Sequence, residues 1–324
     1  MLANRLEVYA GIVGFSVGLS LAATGQGAVV MDLIQAERAI QGKGDSLAEI
    51  KFKFDNFDNG AIYNNPLIPS PQSGELNVNS EELFSATGRI GNEDGWGTFD
   101  VTTIEVGGVD IDFRNQTGHE LTGIFWGIVD TYIQQGIGTS QLIQSNTFNI
   151  AFWEDETPDF EANVDSGATR AGFDSFPTAT DGTLVLQGSG EAGHLNLDNA
   201  TGGSPAVFQT NFDSVSLRGS GNAVVSFTDG TWLNDFNTDQ FQDVIPDGFA
   251  ANPADMRIDF TTRPNPDPQI VGDVSIGDWL VRSDDPARTF AVPTPATAWV
   301  WGWLSLMGLL GVGRKAARLN SVPA

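Results

Sequence analysis

Carboxylates dominate the side chains of this sequence that could do chemistry, and three short stretches concentrate them. One stretch, FWEDETPDFE, sets five acidic residues beside Trp153. Two carboxyl groups about 5–9.5 Å apart across a cleft can hydrolyse a glycosidic bond, and an indole face can stack on a sugar. Because the chain has 41 acidic residues, composition alone produces such a cluster, and we expect a solvated loop. The five acids are Glu154, Asp155, Glu156, Asp159 and Glu161.

The other two acidic stretches, DNFDNG and NDFNTDQFQD, supply the hard oxygen ligands that calcium prefers. Asp235, Asn237 and Asp239 have the alternating spacing that opens an EF-hand loop. Gln240 replaces the glycine of that loop, and Pro246 stands where its bidentate glutamate belongs, so an EF-hand is excluded. We therefore expect no cofactor, and keep a looser calcium site at Asp235, Asn237 and Asp239 as the alternative.

The remaining catalytic residue types are scarce. A metal site built from the two histidines, His119 and His194, with Glu120 or Glu191 lacks the spacing of an H-E-x-x-H helix. We expect both histidines at exposed loops or strand edges. The chain has no cysteine and no G-x-S-x-G-like elbow, which excludes disulfides, thiolate chemistry and that class of serine hydrolase. No catalytic residue is predicted, and glycoside hydrolysis stays as the alternative to a non-enzymatic protein.

The elements that position these residues are mostly short strands. In KFKFDNF, Phe52 and Phe54 alternate with lysines, and in TFNIAFW, Phe148, Ile150 and Phe152 share one face. GGVDIDF, GTLVLQG, AVVSFTD and MRIDFTT have the same character and are separated by turn residues. We predict a mainly β domain, an antiparallel sandwich or jelly roll. MDLIQAERAIQ predicts a short helix, and ELTGIFWGIVDTYIQQGIG favours strands over a helix because its glycines weaken the helical stripe.

Charge limits the partners of this domain. The chain of 324 residues has a formal net charge of −25, although 40% of its residues are hydrophobic and suffice for a core. A strongly acidic surface repels the phosphates of nucleic acids and of anionic lipids. Nucleic acid is therefore excluded as a partner.

The N-terminus has the layout of a secretory signal peptide. Arg5 precedes an apolar stretch, Val8 to Ala23, and small residues follow. Cleavage is expected between about Ala23 and Ala28. The predicted organisation is a signal helix over residues 1–28 and a β-rich extracellular domain over residues 29–290.

The C-terminus has the layout of a single membrane-spanning helix. Residues 296–312 carry no charge, and a helix of this length spans roughly 25 Å, enough for a thin bilayer. Three tryptophans at its start suit the membrane interface, and three basic residues after it place the C-terminus in the cytoplasm. These residues are Trp299, Trp301 and Trp303, and Arg314, Lys315 and Arg318.

A stiff, extended pentapeptide stands directly before this helix. It consists of Val292, Pro293, Thr294, Pro295 and Ala296. The proline motif, apolar helix and basic end over residues 291–318 together resemble a PEP-CTERM sorting signal, in the variant that begins V-P-x-P-A. The resemblance covers about a tenth of the chain, and Thr294 replaces the family's usual central glutamate. It implies recognition by an exosortase-type membrane enzyme, cleavage near the motif, and delivery to the cell surface or extracellular matrix.

These observations predict an exported protein of the cell envelope or matrix, first anchored in the membrane, whose middle domain is a structural or interaction module. The alternative is a surface protein that binds or hydrolyses carbohydrate, with extracellular polysaccharide as its partner. In that alternative, exposed indoles would serve as sugar platforms. The candidates are Trp96, Trp126, Trp153, Trp232 and Trp279.

Overall fold

The computed structural model describes residues 29–44, 46–60, 62–64, 81–84, 94–135, 140–162, 176–192, 195, 206–213, 215–241, 253–264, 279 and 281–292. Several predicted features lie outside the described residues. They are the signal peptide 1–28, Pro293, Thr294, Pro295, Ala296, the span 296–312, Arg314, Lys315, Arg318 and His194.

Strands and three helices make up the regular structure of the described residues. The strands are β1 (Ala48–Gly60), β2 (Ile62–Asn64), β3 (Glu81–Phe84), β4 (Gly95–Val106), β5 (Val109–Ile111), β6 (Glu120–Ile128), β7 (Asp130–Gln135), β8 (Ser140–Ser145), β9 (Asn149–Asp155), β10 (Thr183–Gly190), β11 (Phe208–Asp213), β12 (Arg218–Asp229), β13 (Met256–Pro264) and β14 (Val281–Ala291). The helices are α1 (Val29–Ile40), α2 (Phe113–Thr117) and α3 (Leu233–Phe236).

Eight antiparallel strands form a closed barrel in the order β10-β9-β6-β4-β1-β14-β13-β12. The ring closes because the last third of β12 pairs with the end of β10, from Gln187 opposite Asp229 to Gly190 opposite Val225. The first part of β12 pairs instead with β11, which continues into β8 and β7 as a three-stranded extension. The prediction of a mainly β, antiparallel domain is confirmed. The two separate sheets of a sandwich or jelly roll are replaced by one sheet that closes on itself.

The alternation seen in the sequence fills the interior of this barrel. Phe52 and Phe54 of β1 and Phe152 of β9 are all buried and point inward. Their rings meet Phe99 of β4, with centroids 5.0 Å apart for Phe54 and Phe99 and 4.9 Å apart for Phe99 and Phe152. Aromatic pairs at these separations bury large areas and add a favourable edge-to-face term. The hydrophobic core therefore lies inside the barrel.

All three helices lie at one end of the barrel, which we call the helical end. β1, β6, β10 and β13 begin there, and β4, β9, β12 and β14 finish there, as the strand registers require. The predicted helix near residue 30 is confirmed as α1, whose apolar side, including Val30 and Ile34, is buried over the core. Within the described part of the chain, no helix combines the length and apolar character that a membrane crossing requires.

Candidate functional site

The last barrel residue, Val292, is held at the helical end by both of its backbone polar groups. Its N–H donates to the carbonyl oxygen of Asp235 at 2.8 Å. Its carbonyl oxygen accepts a short hydrogen bond from the guanidinium of Arg38. Because Val292 is also the first residue of the predicted sorting motif, α1 and α3 hold the first residue of that motif at the helical end.

Arg38 is the centre of this contact. Its side chain is fully buried, and it also donates to Gln35 Oε1 and to the carbonyl oxygen of Ser46, each at 2.6 Å. Burial lowers the pKa of Arg38, while the nearby carboxylate of Asp235 opposes the shift. Burial raises the pKa of Asp235, and Arg38 opposes that shift in turn. Arg38 is thus a buried cation and Asp235 a half-buried anion, and each favours the charged form of the other.

The three calcium candidates lie in α3 and directly after it. Asp235 lies in α3 beside Arg38, and Asn237 is the residue that ends this helix. Asp239 adopts a left-handed backbone conformation, φ 51°, and its N–H donates to Asp255 Oδ1 at 2.9 Å. Among the described residues, the close group of three acidic side chains does not include Asp235 or Asp239. The segment that contains these three residues is bound to the buried carboxylate of Asp255.

That close group is Glu120, Asp155 and Asp159, whose carboxylate oxygens lie within 4.8 Å of one another. Glu120 is 2% exposed and accepts hydrogen bonds from the backbone N–H groups of Asp159, at 3.0 Å, and of Phe160, at 3.1 Å. Burial raises the pKa of Glu120, and these two hydrogen bonds oppose the rise. Carboxylate oxygens suit a hard cation, but Glu120 already has a structural task, which is to hold the turn after β9. The prediction of a solvated loop is wrong for residues 152–155, which lie in β9 with Glu154 buried, and holds for residues 156–161, which Glu120 anchors.

A second buried carboxylate, Glu154, lies inside the helical end. Its Oε1 accepts the N–H of Val30 in the first turn of α1 at 3.0 Å and lies 2.9 Å from Nδ1 of His119. Oε2 of Glu154 has no hydrogen-bond partner among the described residues. The expectation that His119 is exposed is wrong, because its side chain is only 13% exposed.

The sequence contained a signal for this pair. Phe148, Ile150 and Phe152 face the interior, and continuing the same alternation by two residues places Glu154 inside as well. His119 precedes the inward-facing Leu121 by two residues in the same way. A charged residue in phase with core-facing residues indicates a buried polar contact, but alternation alone does not say which partner it meets.

The indoles proposed as sugar platforms are not exposed. Trp96 and Trp153 lie in a cluster on the outer side of β4, β6 and β9 that further chain segments cover. Trp279 joins this cluster, and its Nε1 donates to the carbonyl oxygen of Ala162 at 2.7 Å. Trp232 is buried in the main core, and Trp126 is half-buried. Four of the five indoles are therefore buried rather than exposed.

Phenylalanines surround a small cavity at the end of the barrel opposite the helices. It measures about 50 Å³ and is lined by rings such as Phe99 and Phe148, with Asn56 and Ser283 as polar neighbours. Ligand pockets measure about 300–1,000 Å³. The cavity is too small for a sugar ring and is an internal packing space.

A larger polar groove of about 450 Å³ crosses the outer face of β11, β12 and β13. Strand register places side chains side by side in two rows. Gln209, Asn222 and Asp259 form one row, and Asn211, Ser220 and Thr261 form the other. Gln144 of β8 extends the first row, because its Nε2 donates to Gln209 Oε1 at 2.9 Å. The amides and hydroxyls of these rows donate and accept hydrogen bonds without carrying charge, whereas the carboxylate of Asp259 is charged and forms ion pairs with Arg257 and Arg288.

Comparison of the chain with protein-family models, with curated proteins and with solved structures gave no match. The function is therefore inferred from the residues and their arrangement.

Proposed function

We propose that this chain is exported and then sorted to the cell surface or extracellular matrix by its PEP-CTERM-like C-terminal segment. The observation that carries the proposal is the position of Val292. β14 ends at Ala291, Val292 is fixed by Arg38 and Asp235, and the prolines of the motif begin with the next residue. Cleavage beyond Val292 removes no strand of the barrel and breaks neither of these contacts.

The experiment is the intact mass of the protein recovered from the surface of cells that contain an exosortase. We expect the mass to show two truncations. The N-terminal signal, residues 1–28 or a slightly shorter segment, should be absent, and so should the segment beyond about Pro295. Replacing both prolines, Pro293→Ala and Pro295→Ala, should leave the C-terminal segment attached. Pro253→Ala, at an exposed proline within the barrel, is the matched control. A wild-type mass that retains everything after Pro295 contradicts the proposal.

For the barrel itself we propose binding rather than catalysis. The groove on β11, β12 and β13 favours an uncharged polysaccharide as the ligand, because its amides and hydroxyls match sugar hydroxyls in hydrogen-bonding character. An acidic surface would repel anionic polymers. The buried indoles do not favour a stacking mode of sugar recognition.

Affinity electrophoresis in gels that contain neutral or anionic polysaccharides tests this function. We expect a neutral polymer to retard the full-length protein, and Asn211→Ala with Thr261→Ala to weaken the retardation. Both side chains are exposed in the groove. Gln116→Ala, which removes an exposed amide at the helical end, should leave the mobility unchanged. Equal retardation of all variants, or of none, contradicts polysaccharide binding at the groove but not export.

A further inference from the structure

The helical end contains a buried carboxylate oxygen that has no hydrogen-bond partner among the described residues. Glu154 is 3% exposed, and its Oε2 has no hydrogen-bond partner among the described residues. Its other oxygen, Oε1, already accepts from Val30 N–H and contacts His119 Nδ1. A buried polar group without a partner is costly, and for an ionised group the cost is larger still.

The charges around Glu154 would make a further cation at this position favourable. Asp32 of α1 interacts with Glu154 as a second negative charge, and Asp235 of α3 interacts with Asp32 in turn. His119 is the basic side chain that contacts Glu154 directly. The first-turn N–H of Val30 supplies a partial positive charge from the helix terminus. Oε2 belongs to the carboxylate that is bound at the start of α1 through Oε1, and it has no hydrogen-bond partner among the described residues.

The backbone nitrogen that precedes that of Val30 in the chain is the nitrogen of Val29. It directly precedes the Val30 nitrogen in the first turn of α1, where backbone N–H groups have no partner within the helix and point out of its end. Val29 is also the residue after Ala28, the last position of the predicted cleavage window. Its side chain is 42% exposed, so the chain reaches the surface at this point.

We propose that a signal peptidase hydrolyses the Ala28–Val29 peptide bond and that the resulting α-ammonium of Val29 pairs with Oε2 of Glu154. Water adds across the bond, Ala28 leaves as a carboxylate, and the Val29 nitrogen becomes an ammonium group. A terminus upstream of Val29 would hold the same nitrogen in an uncharged amide. The inference rests on the proposed export of the chain and assigns its cleavage site.

N-terminal sequencing of the full-length chain, exported from a host with its own signal intact, tests the position. We expect the mature sequence to begin Val29-Val30-Met31. A terminus at Gln26, or at any other residue of the window, overturns this inference and leaves export intact. A chain that keeps residues 1–28 contradicts the proposed export as well.

Acylation of the α-amine by an amine-reactive ester near neutral pH tests the pairing. A buried carboxylate partner favours the unreactive ammonium, and each unit by which it raises the amine pKa makes labelling about tenfold slower. We expect the folded wild-type protein and the Glu156→Gln control to label about tenfold more slowly than Glu154→Gln. Glu156 is exposed two residues further along the chain.

If Glu154→Gln does not fold, the labelling rates of the folded and the urea-unfolded wild-type protein are compared instead. We expect the folded protein to label more slowly. Equal labelling rates in the folded and unfolded states overturn the pairing. Equal rates for wild type and a folded Glu154→Gln do the same.

Discussion

Arg38 joins three parts of the chain that are far apart in sequence. It lies in α1, donates to the carbonyl oxygens of Ser46 and Val292, and interacts with the carboxylate of Asp235. Hydrogen bonds from a charged donor contribute more to stability than neutral ones do. The side chain is therefore the residue on which the closure of the helical end depends most.

Arg38→Met tests this dependence. We expect the free energy of unfolding, measured by urea titration, to fall by about 1.5–3 kcal/mol, because the carbonyl oxygens of Ser46 and Val292 lose the charged group that donates to them. Arg218→Met, at an exposed arginine at the start of β12, should change it by less than about 0.5 kcal/mol. Equal effects of the two substitutions would contradict the role of Arg38.

Glu120 makes a prediction about pH. Burial raises its folded-state pKa above the unfolded value, so the folded state binds the proton more tightly. The stability that this proton contributes is fully present below the unfolded pKa and is lost as pH rises through the folded pKa. Arg114 opposes the shift, and Asp159 adds to it. We expect the unfolding free energy of the wild type to rise as pH is lowered from about 7 to about 5.

Glu120→Gln should reduce this pH dependence, because the amide oxygen still accepts from the turn but no longer titrates. The measurement is the urea midpoint at several pH values. Glu161→Gln, at an exposed glutamate nearby, should keep the wild-type pH dependence. If the urea midpoint of Glu120→Gln depends on pH as strongly as that of the wild type, other carboxylates cause the effect.

At the scale of elements, alternation predicted the strands well and their closure not at all. KFKFDNF lies in β1, and TFNIAFW and GTLVLQG overlap β9 and β10. Each strand buries one face, and this burial produces an alternation that can be seen within a few residues of sequence. The pairing of β10 with β12, in contrast, joins residues about 40 positions apart. Asp112 caps the start of α2 by accepting a hydrogen bond from the N–H of Asn115, so the GGVDIDF pattern stops at β5 and continues into a helix. The buried contacts of Arg38, His119 and Glu154 likewise depend on tertiary neighbours that no spacing rule names.

Gly188 makes the closure testable. A Cβ added there would lie 2.6 Å from Val225 Cγ1 and 2.7 Å from the carbonyl oxygen of Ser226, both in β12. Gly188→Val should therefore push β10 away from β12 and cost at least about 1–3 kcal/mol of unfolding free energy. Ser189→Val, at the next residue of the same strand and half-buried, is the control. Thermal unfolding that is the same for both variants would contradict a tight seam at Gly188.

At the scale of the whole molecule, the net charge of −25 opposes compactness. Sodium chloride shortens the Debye length from about 30 Å at 0.01 M to about 8 Å at 0.15 M, which weakens this repulsion. We expect the Tm to rise by about 2–4 °C, equivalent to about 1 kcal/mol in a domain of this size. Calcium chloride at the same ionic strength should give the same Tm if screening is the whole effect. A higher Tm in calcium would instead identify a bound ion, and a Tm independent of salt would contradict the role of repulsion.

Because α1 starts and β14 finishes at the same end of the barrel, a tether joined directly before Val29 or directly after Val292 would orient the molecule in one way. A lipid-embedded tail, or another attachment made after its removal, would keep the helices towards the cell and turn the phenylalanine-lined end outwards. The groove on β11, β12 and β13 would then run along the flank, where neighbouring polymer chains pass by. Exchange of one attachment for another would leave that presentation unchanged.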